Sequence, residues 1–333
     1  MHFIQTSSHF PFEQSPVWKE AAIRTEQADP FCCTAAWQLS FHDAFSPKRR
    51  LFVKESSNGV LAFAEKIFTP EQIYLTPIEP LWFFGCPLLG EGSVSMLSEA
   101  MGAIEKTYAP QFPRIMISGI RPNSVLSRRL ARAFSDRFDL FLHSMEVQCA
   151  ASLAGGIDGF LSRRSANHRK KIKKESRKAQ ENGIYFERVV PSSPQESEAI
   201  YSRMLSVERA SWKGTGRCGM AETPSRQFYG IMLQRLSVLK EARIVFAKQE
   251  NEDIGFIFGG MAGNIYRGQQ FSYDEKWEKF SVGNLMQQEQ ITWLCEEGAE
   301  RYDMGPLTGS RMGYKIHWTE EKLPIETWVL ERR

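Results

Sequence analysis

Four short stretches hold residues whose types and spacing suit chemistry. The loop KFSVGN (Lys279–Asn284) delivers a glycine into the helical run NLMQQEQITWLCEEG (Asn284–Gly298). The first turn of a helix has unpaired N–H groups and a partial positive charge. The junction therefore suits a phosphate or pyrophosphate held by Ser281, Val282, Gly283 and Asn284. The alternative is an ordinary strand-to-helix turn in which Gly283 only lets the chain bend. Tyr273 and Asp274 stand just ahead of the loop, where a phenol or carboxylate would face a reacting centre, or where Asp274 would cap the turn. Asp303, on the run RYDMG, would point into a cleft between strands or cap Met304-Gly305. Glu208, late on a helical run and followed by Trp212-Lys213, suits a general base or a substrate anchor; a surface acid paired with Arg209 or Lys213 is the alternative. Acyl transfer to an amine or hydroxyl needs a positioned donor, a polarised carbonyl and a deprotonated nucleophile. Arg243–Pro306 reads as the donor-binding half of such a site. No covalent nucleophile is evident: there is no G-x-S-x-G elbow, and no cysteine has evident His and Asn partners.

The elements that must position these residues alternate. Three strand-like runs, Arg243–Lys248, Asp253–Gly263 and Asn264–Asp274, precede the irregular loop Glu275–Gly283, and the strand Arg301–Gly305 follows the helix. Upstream lie a strand at Ile184–Val190 and helices at Gln195–Trp212 and Pro224–Ala242. The first half has a similar cadence: helix Ala35–Phe45, strands Arg49–Glu55 and Gly59–Phe68, helix Ser93–Ala109, strand Arg114–Ile120, a helix from Ser124 and a strand from Asp139. This predicts an α/β fold of mixed sheets with flanking helices and points to a structural duplication. The expected domains are 1–155 and 156–333, divided in the SLAGGIDG stretch.

Length, 333 residues, suits two domains, and 42% hydrophobic with 24% charged residues suits an ordinary globular protein. No apolar run is long enough to span a bilayer, and MHFIQTSSHFPFEQ lacks the pattern of a secretory signal, so a cytoplasmic location is the default. The six cysteines are scattered without the spacing of a zinc site, and no metal is expected. The formal charge of +3 conceals an asymmetry: Arg163–Lys178 alone carries +8, leaving −5 to the rest. Ser162–Gln180 reads as one helix with a thin inward stripe of Leu161, His168, Ile172 and Ala179. Its basic faces are a solvated surface, a site for a phosphate-rich partner such as a tRNA acceptor stem, or an anchor at the anionic inner membrane face. The run has no interleaved aromatics for base stacking.

Four segments together resemble the CelD-like family of the GNAT acyltransferase superfamily, relatives of the Fem-type aminoacyltransferases that build peptidoglycan cross-bridges. They are NHRKKIKKESRKAQENG (Asn167–Gly183), VERASWKGTGRCG (Val207–Gly219), FSYDEKWEKFSVGNLM (Phe271–Met286) and RYDMGPLTGSRMGYKIHW (Arg301–Trp318). The stretches ADPFCCTAAWQLSFHDAF and FFGCPLLG also resemble the first domain of that family. The resemblance implies tandem GNAT-like domains with the donor on the second. It implies acyl-CoA, whether acetyl-CoA or longer, as co-substrate, with the donor and its oxyanion held by the backbone of a splayed central strand. Glu208, Tyr273, Asp274 and Asp303 are then the catalytic candidates, and Trp212, Tyr314 and Lys315 the substrate-binding ones; the lysine would neutralise a substrate phosphate. The loop departs from the usual Gln/Arg-x-x-Gly-x-Gly/Ala pattern by having one glycine, which keeps an aminoacyl-tRNA donor open.

The expectation is an N-acyltransferase acting on an amine of a cell-envelope sugar, a lipid precursor or an amino-acid-like acceptor. An aminoacyl-tRNA-dependent transferase, and a non-catalytic RNA- or membrane-surface binder on the same fold, are the alternatives. DNA is not an expected partner.

Overall fold

The computed structural model describes residues 14–307 and 312–333. The MHFIQTSSHFPFE stretch and the Thr308–Arg311 part of the fourth family-like segment lie outside the described residues. The strands, in chain order, are β1 (Leu51–Ser56), β2 (Gly59–Thr69), β3 (Gln72–Pro77), β4 (Leu88–Leu89), β5 (Arg114–Ile120), β6 (Phe138–Ser152), β7 (Ile184–Val189), β8 (Ala242–Gln249), β9 (Glu252–Ala262), β10 (Ile265–Tyr273), β11 (Arg301–Pro306) and β12 (Glu321–Arg332).

The chain forms two compact units. One holds the residues up to Gln148 with Leu323–Arg333, the other Cys149–Lys322. Where the sequence suggests a division at residue 155, this one falls inside β6. The closing strand returns to the first unit because Trp328–Leu330 pair antiparallel with Ile117–Ile115 of β5, a long-range pairing that leaves no local mark.

In the first unit β1, β2 and β3 form an antiparallel meander. β3 then runs parallel to β5 through only two residue pairs, Tyr74↔Arg114 and Leu75↔Ile115. Beyond them the gap is filled by the chain itself. Ser118 donates to the Gly85 carbonyl, Ala62 N–H donates to the Pro87 carbonyl at 2.9 Å, and β4 pairs with β2. Helix Ser93–Tyr108 packs Val94, Leu97, Met101 and Ile104 into the core at helical spacing. Each such side chain contributes about 1.5–3 kcal/mol by leaving water.

In the second unit β7, β8, β9 and β10 form an antiparallel run, and β10 is parallel to β11. Helix Val282–Glu296 buries Val282, Leu285 and Met286 against Val245 and Ile257. The basic helix starts at Ala166, four residues later than the sequence suggests, and a separate short helix precedes it. Gly156–Ser162 ends as Arg163 and Arg164 turn back onto the Phe160 and Leu161 carbonyls. Ser165 then caps Ala166–Glu181 by accepting from His168 N–H. Likewise Pro194–Arg209 stops short of Trp212. Ser211 caps a new turn, Trp212–Thr215, which re-aims Lys213.

Candidate active site

The parallel pairing of β10 and β11 covers only Ile265↔Arg301, Tyr266↔Tyr302 and Arg267↔Asp303. Past that point β10 continues to Tyr273 along β9, bulged between Gly268 and Gln270, while β11 runs on to Pro306. The two strands splay and open a wedge, leaving backbone groups of β10 without a ladder on that side among the described residues.

Three cations surround the wedge. Arg267, 4% exposed, marks its closed end, donates to the Gly268 carbonyl and lies flat against Gly305. Gly305 has φ +76°, and a Cβ there would sit 2.8 Å from the guanidinium nitrogens, so only glycine fits. Lys213 donates to Gln270 Oε1 and the Phe271 carbonyl, both at 2.8 Å, and Gln270 Nε2 donates to Tyr229 Oη at 2.7 Å. Lys315, 5% exposed, donates to the Pro306 carbonyl on the diverging end of β11. Burial, then the charge of Arg267, pushes the Lys315 ammonium down to about 7; Lys213 adds to the shift and Cys149 opposes it. Burial also lowers Lys213, against the pull of Glu208. Tyr314 meets the edge of Phe271 with ring centroids 5.3 Å apart, and burial raises its phenol, which stays protonated at neutral pH.

The donor helix begins beside this wedge. Asp274 accepts from Lys276 N–H at 3.0 Å and pairs with the Lys276 ammonium at 3.0 Å, so it caps a 3-10 turn, Glu275–Phe280, where the sequence suggests irregular loop. Ser281 then turns left-handed at φ 57°, and the α-helix starts at Val282, two residues before the expected Asn284. Its first hydrogen bond is Leu285 N–H to the Ser281 carbonyl, and the Ser281 hydroxyl makes no cap. The N–H groups of Val282, Gly283 and Asn284 are thus left by the helix for another acceptor. The Val282 side chain is fully buried in the core, so it offers only its backbone. At Gly283 a Cβ would lie 3.0 Å from the Tyr273 ring and 3.4 Å from Phe271. The glycine therefore lets Tyr273 close against the helix start.

The structure brings Tyr273, Ser281, Val282, Gly283 and Asn284 together, and places Tyr314 and Lys315 at the wedge. Trp212, half-buried, opens the turn that carries Lys213. Two open alternatives close on burial. Glu208 is not a surface acid: it is fully buried, accepts from Met220 N–H at 2.8 Å and from the Ser272 hydroxyl, and is roofed by Gly219. Asp303, also fully buried, is gripped by Arg301 at 2.7 and 2.8 Å instead of capping Met304-Gly305. Arg267, Gln270 and Tyr229 escaped sequence reasoning, since a polar residue on one strand or helix gives no sign of the wedge it lines. The sequence offers Lys213 only as a partner for Glu208, although it follows Trp212 in a family-like segment.

No group of His, Cys, Asp and Glu among the described residues could hold a metal. A surface groove of about 410 Å³ in the first unit is bordered by Arg114, Arg332 and Arg333, which pair with Glu331, Glu105 and Asp139 in turn.

Residues 166–315 match the family model described as an acetyltransferase (GNAT) domain. No curated protein matches the chain. Among solved structures, FemX shares the fold at a TM-score of 0.65 and 10% identity over 95% of each chain. L-PGS from Bacillus licheniformis does so at 0.58 and 14% identity, over 96% of this chain and 92% of that one. A conserved protein of unknown function from Bacteroides thetaiotaomicron VPI-5482 aligns at 0.59 and 10% identity, over 89% and 90%. Residues 166–315 thus carry a GNAT acetyltransferase domain, within a chain whose fold is shared with FemX.

Proposed function

We propose that the second unit transfers an acyl group from acyl-CoA, acetyl-CoA or a longer homologue, to an amine of a cell-envelope sugar, a lipid precursor or an amino-acid-like acceptor. One observation carries this reading: the wedge between β10 and β11 opens beside a helix start whose first three N–H groups are uncapped. In this reading the Val282, Gly283 and Asn284 N–H groups hold the pyrophosphate, and the open backbone edge of β10 holds the acyl arm. Arg267 supplies permanent positive charge at the closed end, where negative charge develops on the carbonyl oxygen. Lys315, poised near neutrality, takes the proton of the acceptor ammonium while one of its own hydrogens stays on the Pro306 carbonyl. Tyr314, still protonated, donates to the departing thiolate. Glu208 and Asp303 act by fixing β10 and β11, not by touching substrate.

A second donor, aminoacyl-tRNA, is favoured by the loop itself, whose one glycine and buried Val282 make a smaller anion cradle than a glycine-rich loop. Calorimetric titration with acetyl-CoA and a longer acyl-CoA separates the two. Micromolar binding that disappears in a folded Gly283→Trp variant, checked by thermal melting, supports acyl-CoA. Absence of heat with either ligand in the wild type rejects it and turns the search to aminoacyl-tRNA.

A further inference from the structure

The basic helix Ala166–Glu181 divides its cations into two sets. Most of those near its start or against its neighbours are engaged. Arg163 and Arg164 pair with Glu320, and Arg169 donates to the Leu161 and Arg164 carbonyls. Lys171 pairs with Glu175 at 3.7 Å, and Lys178 donates to the Lys279 carbonyl at 2.9 Å. The remainder, Lys170, Lys173, Lys174 and Arg177, are exposed and make no hydrogen bond or ion pair with the described residues. Their spacing puts all four within one arc about 100° wide. That arc lies opposite Ile172 and Ala179, which the helix buries. The helix thus presents a solvent-facing row of uncompensated positive charge on a protein whose remaining net charge is negative.

We infer that this row docks the second unit on an anionic lipid surface. Three features favour lipid over nucleic acid. The face is one helix, a convex ridge and not a groove that could follow a backbone. It carries no aromatic side chain on which a base could stack. And three of the four arginines, whose planar fork suits directed phosphate contacts, are already bonded within the protein, leaving a lysine-rich set suited to diffuse attraction. Because Lys178 ties the helix to Lys279, docking holds the donor loop at a fixed attitude to the surface, so the acceptor amine would be lipid-borne. This last point rests on the acyl-transfer reading; the docking itself does not.

The test is co-sedimentation with phosphatidylcholine vesicles with and without phosphatidylglycerol, for wild type and the combined variant K170Q/K173Q/K174Q/R177Q. An A-form RNA duplex and an acyl-CoA titration run in parallel. Each cation near an anionic surface is worth about fivefold in affinity, so the variant should bind anionic vesicles several hundred-fold more weakly. It should keep its melting temperature and its acyl-CoA binding, and wild-type binding should fall with salt. Equal binding by both proteins, equal partition to neutral vesicles, or row-dependent binding to RNA without binding to vesicles overturns the inference. Loss of acyl-CoA binding in the wild type would instead strike at the proposed function and leave this result standing.

Discussion

Lys315 offers a test that needs neither donor nor acceptor. Its ammonium falls from an ordinary 10.5 to about 7 in the folded protein. The folded value lies below the unfolded one, so between about pH 7 and 10.5 the unfolded chain binds more protons and stability rises with pH. Below pH 7 both states are protonated and the cost of the buried charge is fully present and constant. From pH 6 to pH 9 the group therefore adds to stability over about two pH units at 1.36 kcal/mol each, or about 3 kcal/mol. Lys315→Met keeps the apolar stem and removes the proton. At pH 6 it should be more stable than wild type, the relieved charge outweighing the lost bond to Pro306, which is worth about 1.5–3 kcal/mol. At pH 9 the advantage should shrink by about 3 kcal/mol. Urea denaturation followed by tryptophan fluorescence at the two pH values measures this difference directly, with effects common to both proteins cancelling. A wild-type-minus-variant difference that stays flat between pH 6 and pH 9 refutes the desolvated lysine and, with it, its role as proton acceptor.

Two further substitutions probe the frame of the wedge. Glu208→Gln keeps the shape but gives up a charged acceptor shared by Ser272 and Met220 N–H, so it should cost about 2 kcal/mol in urea denaturation and weaken acyl-CoA binding as β10 loosens. Gly305→Ala forces a side chain into a left-handed residue and against Arg267, and should cost about 1–2 kcal/mol or more by the same assay; a neutral result would mean that Arg267 does not lie where the wedge closes.

What the sequence reveals and what it hides divide along physical lines. Helix Ala35–Phe45 and strand Arg114–Ile120 match the sequence expectation residue for residue, because apolar periodicity and flanking caps are local. The junction at Gly283 is legible for the same reason: a strand, a turn and a helix start follow one another in the chain. The break at Arg163–Ser165 is not legible, because continuous helix formers conceal a capping serine. Nor is the cation set, since Lys213, Arg267 and Lys315 lie far apart in sequence and meet only when β10 and β11 diverge. Glu208 and Asp303 stand among reactive groups in the sequence, yet both are sealed: Asp303 by Arg301, two residues back on the same face of β11, and Glu208 by Ser272, which reaches it only when its helix packs on β10.

A similar strand plan occurs in each unit, and the contrast between the two forks argues for where the chemistry resides. In each, a meander ends in a strand that runs parallel to the next for only two or three residues and then leaves it. In the first unit the chain returns through Gly85–Leu89 and takes up the vacated hydrogen-bonding groups. Glu79, fully buried, finishes that plug by accepting from the Leu81, Trp82 and Phe84 N–H groups, burial holding its carboxyl up near 7. A fork completed by its own backbone has no ladder left for an acyl arm. In the second unit side chains reach the wedge instead, Lys213 onto Gln270 and Phe271, Lys315 onto Pro306, and Tyr314 against Phe271. Side chains can move aside or change protonation where a paired strand cannot, so an open fork lined by titratable groups can admit a donor and respond to it. On this argument a duplicated scaffold keeps one fork for structure and the other for reaction, and the glycines at 283 and 305 mark the second because each is required by a neighbour at the site, Tyr273 and Arg267.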